Sequence, residues 1–460
     1  MVSFVDRERF LGEGARTKAQ TNVKNTVTDI KRLIGRRWDD PELQEELKFL
    51  PFTVLPADDG GIVVQVTYNG ERRSFTPVQV LGMLLSNFKN NADREVGGSN
   101  PDVVISVPVY YTDAQRRQML HAADIAGLKV LRLINETCAA ALAYGLPKSS
   151  EFPDDSAKPT TVVIFDLGQS ATSASAVQFT KSKLKVIGTA FNRNLGGRNF
   201  DDILVKKLVE EFKVKFKIDC TTEEKAMFRL RTAAAKTRES VSGVPKMMMS
   251  LDCLIGEKDV QATIERDEFE TAAAPLVAQA VAVLQELFTQ CNLKAEDVES
   301  IQLVGSVTRM PSLCRAIKDF FGGREPGRAL NSEECIAKGC ALAAAIISPT
   351  FKVRDFAVID AFVFPVNLSW ATHAAAVDAD AMDSGAADSA SAEKKGDGDI
   401  FKQYGALPVT YVSSPRCRRR PSHACSYKLS FTRSQPFDVS AAYGPGDFPE
   451  AAAGVTRASC

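Results

Sequence analysis

Three short glycine turns and three charged side chains carry the chemistry this sequence offers. Thr160-Thr-Val-Val-Ile-Phe-Asp-Leu-Gly-Gln-Ser-Ala-Thr-Ser-Ala-Ser175 reads as a buried strand, a tight Asp166-Leu-Gly168 turn and a second strand. Such a turn presents backbone N–H groups and one carboxylate to a phosphate and its metal ion. It is poor in glycine and has no second acid, so it looks like a phosphate loop without its catalytic complement. Leu195-Gly-Gly-Arg-Asn-Phe-Asp201 and Val304-Gly-Ser-Val-Thr-Arg-Met-Pro311 are two further glycine turns beside strands. A single such turn usually supplies a positive φ and nothing more. Three at the ends of successive strands suggest one nucleotide gripped from several sides. No Gly-x-x-x-x-Gly-Lys-Ser/Thr occurs, so this is not a P-loop protein.

Two more residues have a bland and a sharp reading. Lys31, within Asn25–Arg37, is either on a solvated helix face or a cation reaching a γ-phosphate or an attacking water. Glu136, in Ile134-Asn-Glu-Thr-Cys, opens a helix. It either complements the helix dipole or holds a metal-bound water. The residues alone leave both choices open.

These groups need a scaffold, and the chain can build one. Its 460 residues, 45% hydrophobic, suffice for two or three domains. Lys+Arg and Asp+Glu are both 57, which argues against a nucleic-acid partner, since that needs a net basic field. The 10 cysteines form no Cys-x-x-Cys pair and the three histidines stand apart, arguing against a resident metal site or disulfides and for a reducing compartment. No continuous apolar run reaches the roughly 18 residues of a membrane span, and the N-terminal residues lack the apolar stretch of a signal peptide. No membrane partner is expected. The last residues, Arg457-Ala-Ser-Cys460, are no retention signal.

Residues 1–350 alternate strand-like and helical segments, an α/β pattern. Val103-Val-Ile-Ser-Val-Pro108 is a strand, followed by a helix from Asp113 with Thr112 as N-cap. Val130–Ile134 is a strand leading into an Ala-rich helix at 137–144. Further strands are expected at 162–166, 173–179, 183–189 and 300–305. Helices are expected at 200–216, 223–242, 266–291 and near Pro311, with a hairpin from 247–254 and 260–264. After Trp370 the composition shifts. Residues 371–399 are mostly Ala, Asp, Ser, Gly and Lys, a disordered insert by composition. Pro415-Arg-Cys-Arg-Arg-Arg-Pro421 reads as a solvated basic loop rather than a docking patch, and the last 60 residues hold too little apolar material for a core of their own.

Taken together, the segments resemble the nucleotide-binding domain of the heat-shock protein 70 family, from residue 1 to about 370. The resemblance rests on Asn25–Arg37, Val107–Arg117, Ala126–Glu136, Asp166-Leu-Gly168 and Leu195–Asp201. Phe10–Gln20, Lys48-Phe-Leu-Pro-Phe52, Gly188–Phe191, Ser348–Phe356 and Phe364–Trp370 are similar to the family's large 110-kDa branch. The resemblance implies an actin-like, ribonuclease-H-type fold in two lobes at 1–350, an interdomain linker at 351–362, and part of a substrate-binding β-sandwich at 363–460. It also implies ATP/ADP with nucleotide-borne Mg2+, and a cytoplasmic or nuclear location. The branch acts chiefly as a nucleotide exchange factor for a partner heat-shock 70 chaperone and holds unfolded protein clients.

By position, Lys31, Glu136 and Asp166 match the family's catalytic lysine, water-site glutamate and phosphate-loop acid. Gly168 and Gln169 belong to that loop, and Gly196 and Gly197 match a phosphate-proximal turn. Arg238, Ser242, Gly305, Ser306 and Arg309 match the adenosine pocket. Pro108 and Arg116 match the pair that links nucleotide state to domain docking. There are departures. A first phosphate loop is not found, and the sandwich and helical lid are not continued, as expected of an incomplete gene model. Ala171 and Ser173 stand where the family has a threonine and an aspartate, which argues for weak or absent hydrolysis. Ala235 replaces a ribose-binding glutamate, and Ser306 one glycine of a pair. An ATP-hydrolysing foldase of the ordinary branch, an actin-like metabolite kinase and a non-functional fragment are the alternatives. The first lacks its Gly-Gly-Gly-Thr-Phe-Asp loop, and the second lacks a catalytic aspartate for a small molecule.

Overall fold

Continuous apolar runs become the strands that organise the molecule. Thr160–Leu167, Thr172–Thr180 and Lys183–Asn192 form an antiparallel meander. Ser300–Val304 adds parallel to the first of these and Ala357–Ile359 parallel to the last, giving a five-stranded mixed sheet. The meander needs no alternation of polar and apolar residues because helices cover both faces. Val163 and Phe165 belong to the core under the long helix Arg266–Gln290, whereas Val162 and Ile164 belong to the core under Glu136–Gly145. The structure, a computed structural model, describes residues 1–99, 102–349, 353–361, 363–364, 366–370, 438–443 and 456–459.

The fold is actin-like and two-lobed. The second lobe holds the five-stranded sheet, the helices Gly197–Lys215, Glu224–Gly243, Arg266–Gln290 and Pro311–Phe320, and the hairpin Lys246–Ile255 with Lys258–Glu265. Helix Arg266–Gln290 is long and apolar enough to cross a membrane, which counting uninterrupted apolar runs misses. Here its buried face, including Phe269, Val277, Leu284 and Leu287, belongs to the lobe's core.

The first lobe is assembled from smaller sheets. Val2–Val5 lies between Glu8–Leu11 and Thr26–Val27, and Thr53–Pro56, Ile62–Tyr68 and Glu71–Phe75 form an antiparallel sheet. They share one core, in which Phe4 stacks on Phe75 with ring centroids 5.2 Å apart. Helices Pro77–Val96 and Asp113–Ile125 both begin with reciprocal capping boxes, Thr76 with Gln79 and Thr112 with Gln115.

Asp102–Val107 pairs in parallel with Lys129–Asn135 and with no other strand among the described residues. Although its residues 103–105 are apolar, residues 102–106 of this strand are only half-buried. Between this pair and the second lobe's sheet lie helices Glu136–Gly145 and Cys335–Ile347. They approach so closely that a Cβ on Gly339 would lie 1.9 Å from the Ala139 carbonyl oxygen.

The segment expected as a linker is docked over its described residues. Phe356, Val358 and Ala361 are buried, and Ala357–Ile359 extends the second lobe's sheet. Beyond it, Val366–Trp370, Asp438–Tyr443 and Thr456–Ser459 form a three-stranded antiparallel sheet. The expected insert at 371–399 and the basic run 415–421 lie outside the described residues.

Candidate functional site

Lys31, Glu136 and Asp166 come from three separate elements and meet in the cleft between the lobes. Lys31 is in the short helix Ile30–Leu33, and its carbonyl accepts a 2.6 Å hydrogen bond from the Tyr111 hydroxyl. Its Nζ is ion-paired with the carboxylate of Glu136, the first residue of its helix. Asp166 is the penultimate residue of strand Thr160–Leu167. Loss of water pushes the Asp166 carboxyl up to about 7, the Glu136 charge adds to this, and Lys31 opposes it. Burial pulls the Lys31 ammonium down, but the Glu136 carboxylate outweighs it and Lys31 is held above its usual range. The Asp166 and Glu136 carboxyls thus face one lysine, and Asp166 keeps a proton near neutrality. Such a pair suits a cation carried in with a ligand. Among the described residues no group of three or more His, Cys, Asp or Glu side chains is placed to hold a metal by itself.

The three glycine turns interlock above this cluster. Gly168 N–H donates to the Ala171 carbonyl at 3.0 Å, closing the Asp166-Leu-Gly168 turn. Gly197 and Arg198 N–H groups donate to the carbonyls of Gly168 and Gln169, each at 2.9 Å, and the Thr172 hydroxyl donates to the Leu195 carbonyl at 2.8 Å. A Cβ on Gly196 would lie 2.5 Å from the Ser170 backbone, so this glycine is required by close approach rather than by positive φ. Gly305 needs both freedoms. Its φ is 90°, and a Cβ there would lie 2.1 Å from the Leu167 carbonyl oxygen. Gly196 and Gly197, expected near phosphate, also form a packing joint: the amides of Gly197 and Arg198 at the start of helix Gly197–Lys215 bond to the neighbouring turn.

The expected adenosine pocket divides in two. The Arg238 guanidinium is buried, with Nε donating to Asp201 Oδ1 at 2.6 Å, and Gln169 Nε2 donates to Asp201 Oδ2 at 3.3 Å. The Ser242 hydroxyl donates to the Arg238 carbonyl at 2.9 Å. Arg238 and Ser242 are therefore committed inside the lobe, because a buried guanidinium must keep its counter-charge. Gly305, Ser306 and Arg309 lie on or beside a short 3-10 turn, with Ser306 and Arg309 exposed and open to a ligand.

Pro108 and Arg116 belong to one hydrogen-bonded series that reaches the docked linker. Tyr111 N–H donates to the Pro108 carbonyl at 3.0 Å, and Arg116 Nε donates to the Tyr111 carbonyl at 3.0 Å. Arg116 Nη2 donates to Asn135 Oδ1 at 2.7 Å. Asn135 in turn donates from N and Nδ2 to the Asp360 carboxylate at 2.8 and 2.9 Å, and from Nδ2 to the Ala361 carbonyl at 2.7 Å. Asn135 precedes Glu136, so linker and cleft meet in adjacent residues. Sequence reasoning missed Asn135, Asp360 and Asp201. The available signal was Asn135 at an N-cap position, and its side chain makes no cap bond because the linker holds it.

A two-lobed actin-like domain, with a lysine, two carboxyls and three locked turns in its cleft, has the architecture of an ATPase domain. The family model described as Hsp70 protein matches residues 1–386, and the chain belongs to the heat-shock 70 family. Its relatives are large-branch members. It is 42% identical to Heat shock 70 kDa protein 14 of Arabidopsis thaliana over 370 residues, covering 80% of this chain and 44% of that protein. It is 41% identical to the 97 kDa heat shock protein of Strongylocentrotus purpuratus over 371 residues, 80% of this chain and 42% of that one. It is 37% identical to Heat shock protein hsp88 of Neurospora crassa over 450 residues, 98% of this chain and 59% of that one. The chain thus spans roughly half the length of these relatives.

Proposed function

We propose that this chain is the nucleotide-holding part of a large-branch heat-shock 70 chaperone. It would hold ATP or ADP with Mg2+ in the interlobe cleft, act as nucleotide exchange factor for a partner heat-shock 70 chaperone, and serve unfolded clients. Hydrolysis is slow or absent. The observation that carries this reading is the Asp166 turn. It keeps its geometry, its acid and its locked neighbours, while Ala171 and Ser173 offer neither a threonine hydroxyl nor a second carboxylate. Ser173 lies directly across the strand pair from Asp166.

Lys31, with Glu136 beside it, supplies positive charge where phosphate oxygens would lie, while Ser306 and Arg309 face the nucleoside end. The bound cation would neutralise phosphate charge, and Glu136 and Asp166 are the carboxyls that suit its hydration shell. A reducing compartment, cytoplasm or nucleus, suits the free cysteines at 138, 220, 253, 291, 314, 335 and 340.

Single-turnover assays with radiolabelled ATP test the hydrolysis part. ATP cleavage is expected near buffer background, and a rate that falls sharply on Lys31→Ala would identify a hydrolysing foldase instead. Release of labelled ADP from a heat-shock 70 protein tests the exchange part. Folded chain is expected to accelerate it, and no acceleration rejects that role.

A further inference from the structure

The two lobes are joined at the cleft rim by a buried charge cluster that the nucleotide reading does not use. Helix Pro41–Leu47 of the first lobe presents Glu46, whose side chain is only 3% exposed. Arg32 of the same lobe donates from Nε to Glu46 Oε2 at 3.0 Å. From the second lobe Arg198 grips the same carboxylate with both terminal nitrogens, Nη2 at 3.0 Å. Arg32 also crosses the cleft, donating to the Arg193 carbonyl at 2.5 Å and to Asn194 Oδ1 at 2.9 Å. Arg193 returns the contact through Nε to Glu42 at 3.1 Å. The Arg198 guanidinium lies 4.7 Å from the centre of the Phe49 ring, just beyond the helix.

Burial resists the ionised Glu46 carboxylate, but hydrogen bonds and charge from Arg198 and Arg32 win and hold it below its usual range. The geometry makes this one carboxylate the joint between two guanidiniums from opposite lobes. Without it they would face each other unpaired in a buried site, a costly arrangement. The backbone of Arg198 is also locked onto the Asp166 turn through its bond to Gln169.

We infer that Glu46, Arg32 and Arg198 form a latch that holds the lobes together, and that opening it sets how fast the cleft releases its contents. The latch is a property of the lobes. Its link to ligand release rests on the nucleotide-holding reading above.

Glu46→Gln removes the shared charge, whereas Arg198→Met cuts only the arm across the cleft and leaves Arg32 paired with Glu46. Glu45→Gln, on the exposed side of the same helix where Glu45 pairs with Lys48, is the control. Amide hydrogen exchange of peptides spanning 41–50 and 193–198, without nucleotide, is expected to quicken in the first two variants and not in the control. Release of fluorescent ATP is expected to quicken roughly tenfold or more in Glu46→Gln and less in Arg198→Met, the range expected for breaking a buried ion pair. If both variants fold, as judged by circular dichroism, and exchange at both peptides is unchanged, the latch is refuted. Quickened exchange in a protein that binds no ATP in any form would uphold the latch and reject the nucleotide reading.

Discussion

Asp166 lies beside the Lys31–Glu136 ion pair, and how it holds its proton follows from how little water reaches it. The unfolded chain gives up the Asp166 proton near the ordinary 3.8, whereas the folded chain keeps it until about 7. Between those values the folded state binds the extra proton. This group's contribution to stability is therefore full below about pH 4, falls as pH rises towards 7, and is flat above that. Asp166→Asn removes the contribution. The unfolding free energy of the variant minus that of the parent is expected to rise from pH 4 to 7, as measured by urea titration at each pH. A flat difference would show that Asp166 ionises like an exposed carboxyl. At this scale Lys31 and Glu136 were legible only as residues with two open readings, and Asp166 as the acid of a glycine turn. Arg238 was not, because its counter-ion Asp201 lies 37 positions away and nothing local to Arg238 announces it. The packing role of Gly196 was hidden for a related reason. Positive φ is the local expectation for a turn glycine, whereas close approach to Ser170 exists only once two turns have docked.

Among the elements, the short strand Ala357–Ile359 matters most for function, because it ties the segment after the last described helix to the cleft. Its hold depends on Asp360, whose carboxylate accepts two hydrogen bonds from Asn135 and one from the Ala361 N–H. Hydrogen bonds to a charged group each contribute about 1.5–3 kcal/mol. Asp360→Ala is therefore expected to loosen the strand. Limited proteolysis should cut at 353–361 several-fold faster than in the parent, with the central meander unaffected. Equal cutting rates would mean that Phe356 and Val358 hold the segment by burial alone. The meander itself was readable, as were Thr112 as an N-cap and the long helix ending near Cys291. Those signals are contained within a few turns of chain. The series from Arg116 through Asn135 to Asp360 was not readable, since it joins residues 225 positions apart. The small sheets of the first lobe escaped for another reason. Thr26–Val27 and Thr53–Pro56, two and four residues long, are too short to show a period, whereas Ile62–Tyr68 alternates in burial and could have been read.

At the scale of the whole molecule the two lobes are unequally finished. In the second, strand Thr160–Leu167 has a neighbour on each side and helices on both faces. In the first, the parallel pair Asp102–Val107 and Lys129–Asn135 stands alone among the described residues, and Val103, Val104 and Ile105 are half-buried where an apolar parallel strand is normally enclosed. The free side of Asp102–Val107 presents backbone donors and acceptors beside apolar side chains. It has no charge after Asp102 and no proline before Pro108, which are the devices that usually keep such an edge from pairing with another chain. This chain is therefore expected to associate as its concentration rises, through that strand. Ile105→Lys places a charge on the half-buried strand and should raise the monomer fraction measured by light scattering at tens of micromolar protein. Lys129→Ala, on the other strand of the pair, which keeps the charge of Arg132, should not. If Ile105→Lys left the association unchanged, the edge would be protected by something other than sequence, and the unequal finish of the lobes would carry no consequence for solubility.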